Sequence, residues 1–181
     1  PYYQMGRQAG AEIARLGFNV ITGGGPGVME AANRGAKDVG GHSIGCNIML
    51  PREQAPNPYI DRLISFRYFF VRKVMLVKYS QAFVILPGGY GTLDEAFEAA
   101  TLIQTRKILD FPLVFMGVNY WQPLFDFLRR DMLSAGTIDR DDFDRLVLTD
   151  SLDELRSALM QCPFKVFEGQ PLPKRRWWLG E

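Results

Sequence analysis

Ala82-Phe83-Val84-Ile85-Leu86-Pro87-Gly88-Gly89-Tyr90-Gly91-Thr92-Leu93-Asp94-Glu95 is the stretch that decides the fold. Its five leading apolar residues, closed by Pro-Gly, read as a buried strand, and a helical pattern starting near Thr92 runs on to about Gln104. A strand that passes through glycines into a helix is the repeating unit of an α/β fold. Glycines at 88, 89 and 91 permit positive φ and let backbone amides approach a ligand. The helix start adds unpaired N–H donors and the positive end of a dipole. The segment therefore reads as a phosphate cradle, with Gly88, Gly89, Tyr90, Gly91 and Thr92 as candidate contacts. A glycine-rich turn can also serve close packing alone, and that reading stays open.

Working outward, the alternation continues in both directions. Upstream, the pattern predicts a helix over about 3–16, a strand at Phe18-Asn19-Val20-Ile21, a glycine-rich turn, and a helix through Val28, Met29, Ala32 and Ala36. Short strands are expected near Ser43 to Ile48 and Leu63 to Phe66, separated by a turn-rich stretch from Pro51 to Pro58. A helix follows from about Phe69 to Tyr79. Downstream come a strand at Leu113 to Met116, a helix over Trp121 to Leu133, a short acidic turn, a strand at Leu146 to Leu148 and a helix from Leu152 to Met160. This order calls for a Rossmann-like, doubly wound, mostly parallel sheet with helices on both faces, and ligands at the carboxyl ends of the strands. One nucleotide-binding domain over residues 1–165 and a tail over 166–181 are expected. Because a leading helix in such folds follows a strand, a first strand is expected ahead of Pro1.

Composition excludes several classes. Lys and Arg total 21 against 20 for Asp and Glu, so no overall charge draws the chain to nucleic acid or to an anionic membrane. Cys46 and Cys162 stand far apart with no CxxC, which points to a reducing, cytoplasmic setting and away from structural zinc. No apolar run approaches the roughly 20 residues that span a bilayer. His42 is the lone histidine, so histidine-based triads and metal sites have almost no material. It is expected to be a surface or satisfied residue.

Two carboxylates, Asp94 and Glu95, lie where the cradle's anion would sit. Thr92-Leu93-Asp94-Glu95 fits a capping box, in which Thr92 and Glu95 would satisfy each other's backbone donors. A phosphate in the loop would repel a carboxylate one turn away, so Glu95 is better explained by work on an adjacent uncharged sugar, with capping as a second role. Gly23-Gly24-Gly25-Pro26-Gly27 is a second glycine turn that departs from the dinucleotide fingerprint at Pro26, which argues against a nicotinamide enzyme. Gly24 and Gly25 are its candidate ligand contacts, and Glu30 in the following helix complements the dipole. Arg72-Lys73 interrupts the apolar run from Tyr68 to Val77, a place where cations are seldom found without an anion to meet. Snorkelling of both side chains to a solvated edge is the alternative. Lys174-Arg175-Arg176-Trp177-Trp178 pairs charge with stacking surfaces as single-strand binders do, although a tail docking its tryptophans explains it better. Ser151-Leu152-Asp153-Glu154 is a capping box with a structural role.

Taken together, Gly23-Gly24-Gly25-Pro26-Gly27-Val28-Met29-Glu30-Ala31-Ala32-Asn33-Arg34-Gly35-Ala36, Arg72-Lys73 and Pro87 to Glu95 resemble the LOG (Lonely Guy) family over about residues 4–160. These are cytokinin riboside 5′-monophosphate phosphoribohydrolases, often labelled lysine decarboxylases. The resemblance implies a Rossmann-like fold, a homodimer with the site near its interface, and cleavage of the N-glycosidic bond of an adenosine monophosphate. It carries Arg72 and Glu95 over as the catalytic pair, residues 88–92 as the phosphate turn, and Lys73 beside them. Plant-type members usually have Met-His-Glu where this chain has Phe69-Phe70-Val71.

Hydrolysis of a glycosidic bond develops an oxocarbenium-like sugar, which a nearby carboxylate stabilises and to which it directs water. Glu95 is the candidate, with Arg72 holding phosphate or hydroxyls and orienting it. The expected partner is a small nucleotide monophosphate, with no membrane, nucleic acid, metal or cofactor called for. Two other classes remain: a nucleotide-binding or nucleic-acid-associated Rossmann domain that holds phosphate without cleaving it, and a pyridoxal-phosphate decarboxylase, for which nothing marks Lys73 as a Schiff-base residue.

Overall fold

The computed structural model describes residues 1–49, 55–109 and 111–162. Helix and strand alternate as α1 (Tyr2–Arg15), β1 (Val20–Thr22), α2 (Val28–Asp38), β2 (Ser43–Ile48), β3 (Arg62–Phe66), α3 (Phe69–Tyr79), β4 (Phe83–Ile85) and α4 (Tyr90–Gln104). There follow β5 (Leu113–Met116), α5 (Val118–Phe127), α6 (Arg140–Asp144), β6 (Leu146–Thr149) and α7 (Leu152–Met160). A π-helical stretch, Leu128–Leu133, continues α5. The acidic turn expected after it contains α6, whose Asp139 amide donates to Asp142 Oδ2 at 3.2 Å and so starts a helix rather than a loop. The charged tryptophan tail of residues 166–181 and residues 51–54 of the turn-rich stretch lie outside the described residues.

Every strand pair is parallel, in the orders β1-β2-β3 and β4-β5-β6. β5 is buried along its whole length, and its side chains alternate between two cores. Leu113 and Phe115 pack with Ala96, Ala99, Trp121 and Phe125 from α4 and α5. Val114 and Met116 point to the other face, against Ala9 of α1 and Leu155 and Leu159 of α7. Helices on both faces of parallel strands are the expected α/β architecture.

α1 and α2 meet at glycines. A Cβ on Gly10 would lie 2.1 Å from the Ala32 carbonyl oxygen and one on Gly35 1.9 Å from that of Arg7, so only glycine allows the helices this near. Buried Glu12 ties α1 to α7 through Arg156, whose Nε and Nη2 lie 2.7 and 2.6 Å from Oε1. These bonds hold the Glu12 carboxyl below its ordinary range.

In place of one continuous sheet there are two halves. Among the described residues β1 and β4 share no ladder, and a cleft of about 620 Å³ runs between them, lined by residues 17–23 and 80–86. Arg72, Gly89, Gly91, Thr92 and Glu95 line the same cleft beyond the carboxyl ends of β1 and β4. No helix among the described residues is long and apolar enough to cross a membrane.

Candidate active site

Arg72, one turn into α3, and Glu95, in the second turn of α4, meet across the cleft mouth, with Nη1 3.2 Å from Oε1. Both side chains are less than one-fifth exposed, at 16% and 18%. Arg72 Nε also donates to the Cys46 carbonyl at 2.9 Å, which fixes the guanidinium against the end of β2. The cation that stood out in an apolar helix therefore has its anion. Burial pushes the Glu95 carboxyl above its ordinary value, against the pull of Arg72 and with the help of Glu98. Glu95 Oε2 is buried and makes no hydrogen bond among the described residues, leaving one carboxylate oxygen with its lone pairs unspent.

The cradle differs from its sequence reading in two respects. α4 begins at Tyr90 with Gly89 as N-cap, and no side chain caps it. The extended backbone at Gly89 lets its carbonyl accept from the amides of Thr92 and Leu93 at 3.0 and 3.1 Å, so Thr92 sits inside the helix. The Thr92–Glu95 capping box is thus not formed, and Glu95 is free to face Arg72. Nor do the cradle glycines use positive φ, which occurs instead at Gly24 and Gly27 of the other turn. Gly88 serves close approach: a Cβ there would lie 2.2 Å from Thr92 Oγ1. The amides of Tyr90 and Gly91 remain as donors at the helix start.

A half-buried carboxylate with an unspent oxygen, a guanidinium beside it and a helix start next to both can hold an anionic sugar and activate water. Residues 29–159, from the foot of α2 to the end of α7, match the family described as "possible lysine decarboxylase". The chain belongs to this family. Its members include the LOG proteins, to which the motifs already pointed. The chain is 34% identical over 167 residues to the cytokinin riboside 5′-monophosphate phosphoribohydrolase of Mycobacterium tuberculosis, covering 88% of this chain and 84% of that one. It is 28% identical to the LOG phosphoribohydrolase of Oryza sativa, but spans only 61% of that relative's length. Solved structures similar in fold include the molybdenum cofactor binding protein of Rippkaea orientalis, with 24% identity, TM-score 0.62 and 88% of each chain covered. The molybdenum cofactor carrier protein of Chlamydomonas reinhardtii has 23% identity, TM-score 0.61 and coverage of 89% and 87%.

Within this LOG-family chain not every expected contact reaches the cleft wall. Gly88, Tyr90, Gly24, Gly25 and Lys73 lie off its lining, and Gly23 and Met29 form the wall of the second turn. Tyr90 is 93% exposed. Gly88 offers its carbonyl to the Tyr120 hydroxyl at 2.8 Å. Lys73 is held between Asp94 and Glu98, 3.0 Å from each, and these bonds hold its ammonium above the ordinary lysine value. It therefore braces α3 against α4, and its charge is already met by two carboxylates. Glu98 escaped the sequence reading, although its spacing of three from Glu95 and four from Asp94 placed it on their helix face. Glu30 accepts from the Tyr3 hydroxyl at 2.7 Å, and His42 is exposed. Among the described residues no cluster of His, Cys, Asp and Glu could hold a metal ion.

Proposed function

We propose that this chain hydrolyses the N-glycosidic bond of a purine nucleoside 5′-monophosphate, giving free base and ribose 5-phosphate. The observation that carries the reading is Glu95, half-buried against Arg72 with Oε2 unspent beside a helix start suited to an anion. The amides of Tyr90 and Gly91 and the dipole of α4 hold the phosphate. Arg72 orients Glu95 and meets the sugar hydroxyls. Water attacks C1′ as the C1′–N bond opens; its proton passes to Glu95 Oε2, the bonding pair leaves with the purine, and the purine takes a proton from solvent. A raised carboxyl pKa suits a group that must accept that proton near neutrality. The activities for which the mycobacterial and rice relatives are named support the same reading.

Incubation with AMP and with N6-modified AMP, followed by chromatography for free base, tests it. Free base is expected; tight AMP binding with no base released would favour the non-catalytic nucleotide-binding alternative.

The working form in this proposal is a homodimer. α3 is apolar on nearly all sides, yet only Leu76 is buried, and Tyr68, Phe69, Phe70 and Val74 stand more than half exposed beside Arg72. A second copy covering this face would also dry the Arg72–Glu95 pair. Phe70→Glu should turn a dimer into a monomer in sedimentation velocity, and a monomeric wild type overturns this part. The two buried free thiols, Cys46 and Cys162, support a reducing, cytoplasmic setting.

The strand expected ahead of α1 belongs to the same proposal. What supports it is the cleft between the unpaired edges of β1 and β4, together with Tyr2 at the head of α1, which packs edge-on to Tyr120 beside Gly88. A strand rising in the cleft would exit at that point and return through α1 to β1. A five-residue valine-isoleucine strand and short turn fused ahead of Pro1 should raise Tm above a copy with a central proline. Equal Tm values would dismiss it.

A further inference from the structure

Asn57 lies in the stretch that the sequence marked only as rich in turns, yet it is 7% exposed and joins one of the most heavily bonded polar clusters in the molecule. Its amide nitrogen Nδ2 lies 3.2 Å from the Gly24 carbonyl, 3.0 Å from that of Gly25 and 3.0 Å from Asn33 Oδ1. Its backbone amide also donates to the Gly24 carbonyl at 2.9 Å, and its Oδ1 accepts from the Tyr59 amide at 3.2 Å. Asn33, fully buried in α2, accepts from Thr22 Oγ1 at 2.7 Å and donates to Ser43 Oγ at 2.7 Å. The Thr22 hydroxyl in turn accepts from the Gly24 amide at 3.0 Å. The ends of two strands, one helix and one loop thus close on a single turn, Gly23 to Gly27.

That turn touches the candidate catalytic pair. A Cβ on Gly23 would lie 3.1 Å from Arg72 Nη2 and 2.8 Å from Met29 Sδ, so the guanidinium rests directly on the turn's backbone. Arg72 also takes its other anchor from Cys46 on β2, the strand whose start Asn33 grips through Ser43. In a trans peptide the carbonyl and the next amide point opposite ways, so holding the Gly24 carbonyl turns the Gly25 amide away from Asn57. Gly24 and Gly27 lie at φ of +79° and +75°, a shape that a free glycine loop would hold only part of the time.

We infer that Asn57 is a positioning residue: through the Gly24 and Gly25 carbonyls it fixes the turn against which Arg72 is set, and so fixes the site for its sugar phosphate. The inference rests on the proposed nucleotide reading and names no new reacting group. Asn57 acts through Gly23 and Arg72, and a polar network that is fully satisfied is well suited to hold one geometry.

The test uses the full chain with Asn57→Ala, Asn57→Asp and, as a weaker perturbation elsewhere in the network, Thr22→Val. Asn57→Asp keeps the acceptor toward Tyr59 but faces the glycine carbonyls with an oxygen. Each protein is measured for KM and kcat on AMP, for Kd toward ribose 5-phosphate, and for Tm. Loosening the turn under Arg72 predicts a KM and a Kd raised together by about tenfold in Asn57→Ala, with a smaller fall in kcat as Arg72 orients Glu95 less well. Asn57→Asp should be affected more and Thr22→Val less. A fall in Tm with Kd and KM unchanged would overturn the inference and leave Asn57 as a purely structural residue. Failure of the wild type to release base would sink the hydrolase reading only, because ribose 5-phosphate binding still reads the turn.

Discussion

The two glycine turns that flank the cleft look alike in sequence and are built on opposite principles. Gly23 to Gly27 bends through two positive φ values and is gripped by Thr22 and Asn57, with Asn33 behind them. Pro87 to Gly91 contains no positive φ, and no side chain caps the helix it opens. Gly88 there is pressed against Thr92 instead, and within two turns come Asp94, Glu95 and Glu98. The first turn is a scaffold whose Gly24 amide and whose Gly24 and Gly25 carbonyls are bonded inside the protein. The second leaves its donors and one carboxylate oxygen for a ligand. Glycine in a turn thus marks either a backbone that must bend backward or one that must be approached closely, and only the neighbours tell which.

If that division of labour holds, the largest effect must come from the second turn's side. Glu95→Gln keeps the size and polarity of the residue but removes the carboxylate proposed to take a proton. Base release from AMP should fall by about 10²–10⁴-fold, the usual worth of a positioned general base. Binding of ribose 5-phosphate should be nearly unchanged, as measured by calorimetry. A loss of less than tenfold would remove Glu95 from the chemistry.

Substitution of one glycine in each turn breaks the comparison more directly. Gly88→Ala drives a methyl into Thr92 Oγ1, 2.2 Å away, and Thr92 is a β-branched residue in a helix with little room to turn. Nucleotide affinity should fall about tenfold, the scale of one lost charge-assisted contact. Gly88→Ala combined with Thr92→Gly should recover the part of Tm lost to the clash, because Thr92 Oγ1 at 2.2 Å and Cβ at 2.9 Å are both removed. Gly24→Ala has no such rescue, because the strain lies in its own backbone. At φ +79° alanine should cost about 1–2 kcal/mol of stability, read in denaturant melts, whatever is done to nearby Ile60 and Leu63.

The sequence made much of the fold legible because its apolar runs are short and sharply punctuated. β2, α3, β5 and α7 carry the same bounds in sequence pattern and structure, with breakers such as Ser80 after α3, Pro112 and Gly117 around β5 and Ser151 before α7. The start of α4 was misread because Thr92-x-x-Glu95 imitates a capping box, while the actual N-cap, Gly89, bonds through its backbone and leaves no side-chain signature. The Arg72–Glu95 pair was legible as an anomaly, a cation in an apolar helix and a carboxylate at a cradle. Asn57 was not, because a lone asparagine before proline reads as a turn residue, and its partners are the carbonyls of a turn about thirty residues away. Backbone acceptors do not appear in a sequence.

The smallest expected effect concerns the charge set around Glu95. Burial is the main cause of its raised pKa; Glu98 and Asp94 add to it, while Arg72 and Lys73 oppose it. In its proposed role as base Glu95 works only when ionised, so the acid limb of kcat/KM should lie above the ordinary carboxylate value of about 4.3. Glu98→Gln removes a neighbouring negative charge and should move that limb to lower pH, while Lys73 keeps Asp94 as a partner. Lys73→Met should move it the other way. Stability carries the same sign. The folded state holds the Glu95 proton more tightly than the unfolded chain, so between the ordinary and the raised pKa it binds more protons and loses stability as pH rises. Glu95→Gln should abolish that loss, because glutamine has no proton to give up. A limb that stays in place in both Glu98→Gln and Lys73→Met would assign the titration to a group other than Glu95.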